Sequence, residues 1–319
     1  MDATAILRLM MGSVLVCIVA GGAAAADYDP GPPTERRMDP QAAPRSAAAQ
    51  AAMVEIPAGR YPLGSPDGRP SARPAHYVEL AAFAIDRTEV TNAAYAEFLN
   101  ALDLEVLRDF RYTTAERSDF ADDTWPRLLE ETRNPALHPL IGLDDQQVRI
   151  EVRGGRFAAA EGYEDHPVAE TTWRGARDYC RWRGARLPTE AQWEAAARGK
   201  TGRTYPWGEA PPTNARAYAG HPSGKTAPVG SHPEGATPQG VQDMAGSLAE
   251  WTASLFRPYP YDSADGRESP TASGERTTRG GDYVFDTAPD QLTGYFRDGF
   301  SRAPQDGHRH IGLRCARTL

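Results

Sequence analysis

Glycine and proline account for 30 and 27 of the 319 residues, and from Tyr205 onward they recur so densely that only short strands fit between them. Proline withholds a ladder donor, and glycine weakens strand interiors, so such a stretch folds as irregular coil joined by brief extended segments. Coil of this kind buries backbone groups that no long helix or sheet satisfies. It therefore needs other staples: a disulfide, bound ions, or buried tryptophans. No internal repeat is apparent. The pattern predicts one α+β domain with few helices, short strands and much coil.

Regular pattern begins at "MVEIPAGRYPLGS". Val54 and Ile56, then Tyr61 and Leu63, alternate on either side of Pro57-Ala58-Gly59, which predicts a hairpin. "HYVELAAFAIDRTEV" predicts further strand, with Tyr77 and Val78 leading to Phe83 and Ile85. Three helices are readable. Thr91 is placed as an N-cap, and Tyr95, Phe98, Leu99 and Leu102 follow at helical spacing. Thr172 precedes a stripe of Trp173, Ala176 and Cys180, with Gly184 where a C-terminal cap belongs. Thr189 and Gln192 form a capping-box pair, Trp193, Ala196 and Ala197 line the buried side, and Gly199 ends the helix. Arg186 and Glu190 stand close enough in sequence to pair. The stretch from Arg108 to Gly162 is charged and poorly patterned, and is expected to be a loop-like insertion over one face.

Residues 1–26 read as a signal peptide. Arg8 precedes an apolar run from Leu9 to Ala20, and Ala24-Ala25-Ala26 fits an A-x-A cleavage site. About a dozen apolar residues are too few for a span, which needs roughly 20. Val16 before Cys17 is too large for a lipoprotein signal. Residues 27–52 are rich in Pro and Ala and read as a flexible lead-in, which leaves 53–319 as the folded domain. Export leaves two cysteines, Cys180 and Cys315. In an oxidising compartment a pair is most simply a disulfide, although two separate buried thiols fit as well. The net charge of −8 argues against a general nucleic-acid binder, and no basic run marks a membrane patch.

Several blocks, in order, resemble the formylglycine-generating (sulfatase-modifying factor) family. They are "MVEIPAGRYPLGS", "IDRTEVTNAAYAEFLNA", "HPVAETTWRGARDYCRWRGARLPTEAQWEAAARG" running on to "YPWGEAPPTNARAY", "GVQDMAGSLAEWTAS", "RTTRGGDYVF" and "HIGLRCAR". They cover most of 53–319 and leave 103–162 and 257–275 unmatched. Each also has a plain physical role: Leu187 and Trp193 as core, Tyr205 and Trp207 as aromatic filler at a turn. The resemblance implies a modified C-type-lectin-like architecture, with a small twisted sheet, two main helices and long loops. It also implies that Cys180 and Cys315 are bridged.

The oxidase members of that family carry two cysteines after the closing Arg-Gly-Gly block, where thiolates bind copper. Thiolate suits soft Cu(I), so no other residue type substitutes. Here the block is "RGGDYVFDTAPDQLTGYFRDGF", with no cysteine between Gly281 and Cys315. The corresponding places fall near Phe285 and Asp290. Copper and formylglycine-generating oxidase activity are therefore not expected. A sulfoxide-forming branch carries iron on an N-terminal helical domain with a His-x3-His-x-Glu motif, and no histidine precedes Met53.

The candidate site is the closing loop. Asp282, where the family usually has Ser, with Tyr283, Asp286, Arg297 and Asp298, forms a polar set able to bind or to act as acid and base. Its plain alternative is a solvated, salt-bridged loop. His308 and His310 would share one face of a strand, but without further ligands they read as surface or hydrogen-bonding histidines. The resemblance further implies structural calcium, held by the carbonyls of Ala245, Gly246 and Leu248 and by the Glu250 carboxylate. Such all-oxygen ligation suits Ca²⁺. The alternative for Glu250 is a buried carboxylate paired with an arginine. A second family site is weaker: Asn214 and Ala215 match its first half, but His221 stands where its Asp belongs and Lys225 is close.

Together these readings point to an exported, periplasmic or secreted protein with no integral membrane segment after cleavage. It would serve as an accessory, maturation or binding factor for an exported protein or small molecule. The alternative is an enzyme acting on a small molecule or exported protein during maturation, like the family's pyoverdine-maturation relatives, without the cysteine–copper centre.

Overall fold

A computed structural model of the chain describes residues 44, 46, 51–102, 112–114, 126–128, 140–142, 147–221, 225–301 and 307–319. The expected signal peptide and most of the lead-in lie outside the described residues. Among those described, no helix is long and apolar enough to cross a membrane.

The opening strands β1 (Met53–Ile56) and β2 (Gly59–Leu63) are present but do not form the expected hairpin. β1 pairs antiparallel with β4 (Phe83–Asp86), and β2 pairs with β3 (His76–Leu80). A two-residue hairpin connection needs a positive φ at its first residue, and Pro57, with φ held near −65°, cannot supply it. The chain instead steps from one sheet to another at that proline.

The helices start where their caps predict. Thr91 Oγ1 accepts from Ala94 N at the start of α1 (Asn92–Ala101). Thr172 Oγ1 accepts from Gly175 N at 2.9 Å to open α2 (Trp173–Trp182). Gly184, at φ 68°, ends that helix in a Schellman-type turn, with Ala185 N donating to Cys180 O. Thr189 and Gln192 exchange both bonds of a capping box ahead of α3 (Glu190–Arg198). Arg186 does not pair with Glu190. Its guanidinium donates to Gln192 and to Leu187 O, and Glu190 turns inward to Arg279 and Arg297.

The expected loop between Arg108 and Gly162 holds more order than its sequence suggests. β5 (Tyr112–Thr114) pairs with β6 (Pro126–Leu128), and β7 (Ile150–Arg153) pairs with β8 (Arg156–Ala159). Ile150, Phe157 and Ala159 are buried, and Asn100 of α1 ties to Phe157 through both its N–H and its C=O. The apolar alternation is only two or three residues deep and disappears among the charges around it.

The centre of the fold is a four-stranded sheet with the order β11 (Arg297–Ser301), β10 (Arg276–Arg279), β9 (Ala249–Leu255), β12 (Ile311–Gly312). A second, three-stranded sheet has β4 between β1 and β13 (Ala316–Thr318). One core packs α1 and α2 against Trp251, Leu313 and Ile311, and another packs α3 against β1, β2 and β4. Trp173, Trp193 and Trp251 are fully buried, and each indole N–H is satisfied: by Thr252 O, Glu250 Oε2 and Thr171 O respectively. Cys180 of α2 and Cys315 are joined by a disulfide. The result is an α+β architecture with few helices, short strands and long coil, of the modified C-type-lectin-like kind.

Candidate functional site

β10 ends in Gly280-Gly281, and the closing loop begins there. Gly281 has φ 68°, and a Cβ on it would meet Asp286 O at 2.7 Å and Gln291 O at 2.8 Å. Only glycine lets the loop fold back so closely. Asp282 follows with no exposed surface. Its Oδ1 accepts from Val284 N at 2.6 Å and Phe285 N at 2.5 Å, an Asx-type turn. Its Oδ2 has no hydrogen-bond partner. Burial lifts the Asp282 carboxyl above the usual range, against the pull of those N–H groups and of Arg309.

Asp286 is half-buried and accepts from the Gln291 amide. Its pKa is pushed up to about 6, first by burial and then by the charges of Asp282 and Asp298, against Arg69. Asp298, also half-buried, is raised by burial against the Gly299 N–H and Arg69. Arg69 pairs with Asp290 at 2.8 Å at the surface. Phe285 is 53% exposed and carries the Arg309 guanidinium 5.0 Å from its ring centroid.

Three of the five expected residues, Asp282, Asp286 and Asp298, thus share one electrostatic neighbourhood, and two do not join it. Arg297 is buried and committed to Glu190 through Nε (2.5 Å) and Nη2 (2.8 Å). It also donates to Ser71 O and Arg257 O and lies 4.0 Å from the Tyr259 ring centroid. It serves the core. Tyr283 is likewise buried: its N donates to Ser247 O, its C=O accepts from His221 N, and its ring stacks on Tyr218. Arg69 was missed from the sequence, where it sits among turn residues more than two hundred positions before Asp290.

His308 and His310 precede β12 in a turn, with ring centroids 5.9 Å apart. His310 packs edge-on against Phe285 and is held neutral, its pKa pushed down to about 3 by burial and then by His308 and Arg309. His308 lies against Trp251.

The residues expected to hold calcium lie in a buried turn running into β9. Ala245, Gly246 and Leu248 are buried, and Gly246 and Ser247 have positive φ. The Glu250 carboxylate accepts from Arg314 at 2.6 Å on each oxygen and from Trp193 Nε1 at 2.7 Å. It is therefore an arginine-paired carboxylate, the alternative that the sequence left open. Two more carboxylates crowd the same guanidinium. Glu89 accepts from Ser247 Oγ and Leu248 N, and Asp243 from Gly230 N. Burial, then Asp243 and Glu250, push the Glu89 carboxyl well above the usual range. Among the described residues, no three His, Cys, Asp or Glu side chains converge as a metal-ligand group. Asn214 and Ala215 lie in an exposed turn opened by Thr213, and His221 stacks on Tyr218 with ring centroids 4.0 Å apart.

Residues 38–319 match the family described as "Sulfatase-modifying factor enzyme 1-like domain". The chain is 32% identical to a formylglycine-generating enzyme of Streptomyces coelicolor, covering 90% of this chain and 95% of that one. It is 34% identical to the "Inactive C-alpha-formylglycine-generating enzyme 2" of Bos taurus, over 83% and 87% of the two chains. Its fold is similar to that of PvdO from Pseudomonas aeruginosa, with a TM-score of 0.53 at 23% identity over 84% and 95% of the chains. The ordered sequence blocks, the disulfide, the buried tryptophans and these matches agree: the chain belongs to the sulfatase-modifying factor enzyme 1-like family.

Proposed function

We propose that this is an exported protein whose sulfatase-modifying-factor-like domain acts as an accessory, maturation or binding factor in the periplasm, not as a cysteine–copper oxidase. One observation carries the reading. Phe285 and Asp290 stand near the places of the oxidase thiols, and the chain's two cysteines after residue 26 are used up in the Cys180–Cys315 disulfide. Neither a phenyl ring nor a carboxylate is a soft ligand or a redox thiol. The mammalian relative described as inactive supports the view that this scaffold persists without that chemistry. The test is to incubate the purified chain with a sulfatase-type cysteine peptide, with and without copper, and look for the aldehyde by mass spectrometry. No aldehyde is expected, and its detection overturns the reading.

One observation favours an enzymatic alternative, maturation of a small molecule or exported protein. Asp286, with its pKa near 6 in a half-buried loop, is poised to give or take a proton near neutral pH. A periplasmic pull-down that returns a modified small molecule, with modification lost in Asp286→Asn, separates catalysis from binding.

Structural calcium beside Glu250 belongs to the same reading. Its support is the excess of buried carboxylates, Glu89, Asp243 and Glu250, over the single guanidinium of Arg314. The ion would draw oxygens from Ala245, Gly246 and Leu248 as well as Glu250, and would neutralise charge there. A ligand bound only by the folded state raises the melting temperature. Identical melting with calcium and with chelator, after confirmed metal removal, excludes it.

A further inference from the structure

The stretch 257–275 runs between β9, which ends at Leu255, and β10, which starts at Arg276. Tyr261 of this loop is fastened twice. Its backbone N–H donates to Nε2 of His76 on β3 at 2.8 Å, and its hydroxyl donates to Glu268 Oε1 at 2.7 Å. Each bond depends on a proton. A backbone N–H can only donate, so His76 Nε2 must present a lone pair to it. The other ring nitrogen, Nδ1, lies 2.9 Å from Pro74 O, a carbonyl that can only accept, so Nδ1 carries the hydrogen. The two contacts together fix one neutral tautomer. An imidazolium would turn Nε2 into a donor facing a donor.

Glu268 is held in the opposite sense. Its Oε1 accepts from the Ser254 hydroxyl at 2.5 Å as well as from Tyr261, and Ser254 Oγ in turn accepts from Glu190 N at 2.8 Å. Its Oε2 is shielded from solvent, and no donor among the described residues reaches it. The nearby guanidinium groups bond elsewhere: Arg267 to Asp265 and Pro258 O, Arg186 to Gln192 and Leu187 O. A carboxylate buried without a bonded cation is costly, so this place favours the neutral acid. Burial accordingly raises the Glu268 pKa and Glu190 adds to the rise, against the Ser254 and Tyr261 hydroxyls and Arg267.

We propose that His76 and Glu268 form a two-sided proton clasp on Tyr261, which fastens this part of the loop to β3 and β9 only while both side chains are uncharged. Falling pH protonates His76 and releases the Tyr261 N–H. Rising pH ionises Glu268 and leaves its charge short of donors. The closed form holds the Glu268 proton more tightly than a free glutamate does. Its contribution is therefore greatest below the ordinary value of 4.5 and is lost as pH rises through the raised value. The Tyr259 ring meets the His76 imidazole edge-on at 4.6 Å, and the Arg297 guanidinium of β11 lies 4.0 Å from the same ring. Around Glu268 the facing groups are Glu190 of α3, Arg267 and Tyr261 of the loop, and Arg186 ahead of α3. The clasp shares no residue with the closing loop or with the Glu250 turn.

The test is amide hydrogen exchange of the full chain from about pH 4.5 to about pH 8.5, read at Tyr261 by NMR and corrected for intrinsic rates. The Ala94 amide of α1 is the internal reference. Relative to Ala94, protection at Tyr261 should pass through a maximum, changing by up to about tenfold per pH unit on each limb, the limit for one proton. His76→Gln, whose amide oxygen stands in for Nε2 without titrating, should flatten the acid limb alone. Glu268→Gln, which keeps the accepting oxygen without the charge, should flatten the alkaline limb alone. Melting curves check that each variant folds. The imidazole nitrogen shifts give a wild-type readout that needs no variant: at the pH of greatest protection His76 should carry its hydrogen on Nδ1. A flat or one-limbed wild-type profile, a limb that survives its own variant, or a hydrogen on Nε2 at that pH overturns the proposal.

Discussion

At the scale of single residues, buried charge decides the most. Arg314 donates to both oxygens of Glu250 and to the carbonyls of Asp86, Arg87, Gln242 and Asp243, with none of its own surface exposed. Removing one partner of such a pair leaves the other charge uncompensated, which typically costs about 3–5 kcal/mol. Arg314→Met should therefore destabilise the fold by about that much at pH 7 in urea unfolding. The direction of its pH dependence follows from the carboxylates left behind. Glu89, Asp243 and Glu250 are all raised above their ordinary values in the folded state. Their folded forms favour the proton, so the stability they allow is greatest at low pH and is lost as pH rises through their folded pKa values. Without Arg314 those values rise further, so the variant's deficit should shrink between pH 7 and pH 5. A deficit independent of pH would show that these carboxylates do not share the arginine's charge. None of this was visible in the sequence beyond Glu250 itself. Arg297 was misread for the same reason: a conspicuous arginine near conspicuous aspartates gives no sign of whether it turns inward.

At the scale of elements, helices were legible and strand pairing was not. Thr91, Thr172 and Thr189 announce their helices because an N-cap is a local bond between residues three apart. Thr189→Ala should destabilise the protein by about 1 kcal/mol, since it removes one half of the capping box and leaves the Gln192 amide N–H of the first turn unsatisfied. Chemical denaturation measures it, and Thr189→Ser, which keeps the oxygen, should recover most of the loss. Full stability in Thr189→Ala would mean that packing of Trp193 alone starts α3. Pairing is a different problem. The partners of β4 are four residues that precede β2 and three that close the fold, and no local pattern encodes either choice. The same holds for the candidate site. Asp282, Asp286 and Asp298 could be grouped because they are neighbours in sequence, whereas Arg69 comes from the turn between β2 and β3.

At the scale of the whole molecule, the Cys180–Cys315 bridge links α2 to the segment between β12 and β13 across a separation of 135 residues. In the chain-entropy account, closing a loop that long restricts the unfolded ensemble by about 4–5 kcal/mol. The double variant Cys180→Ser, Cys315→Ser should therefore unfold at a markedly lower urea concentration than the oxidised protein. An unchanged midpoint would show that the buried arginine and tryptophan networks hold the fold without it. The three-stranded sheet adds a consequence in time. Its middle strand, β4, is made early, but one of its two edges is completed only by residues 316–318. A ribosome adding residues in order makes β1, β4 and everything between β4 and β13 before that edge exists. The sheet therefore stays unfinished from the making of β4 until the making of β13. Until β13 emerges, one side of β4 is an open strand edge, which another extended chain can pair with.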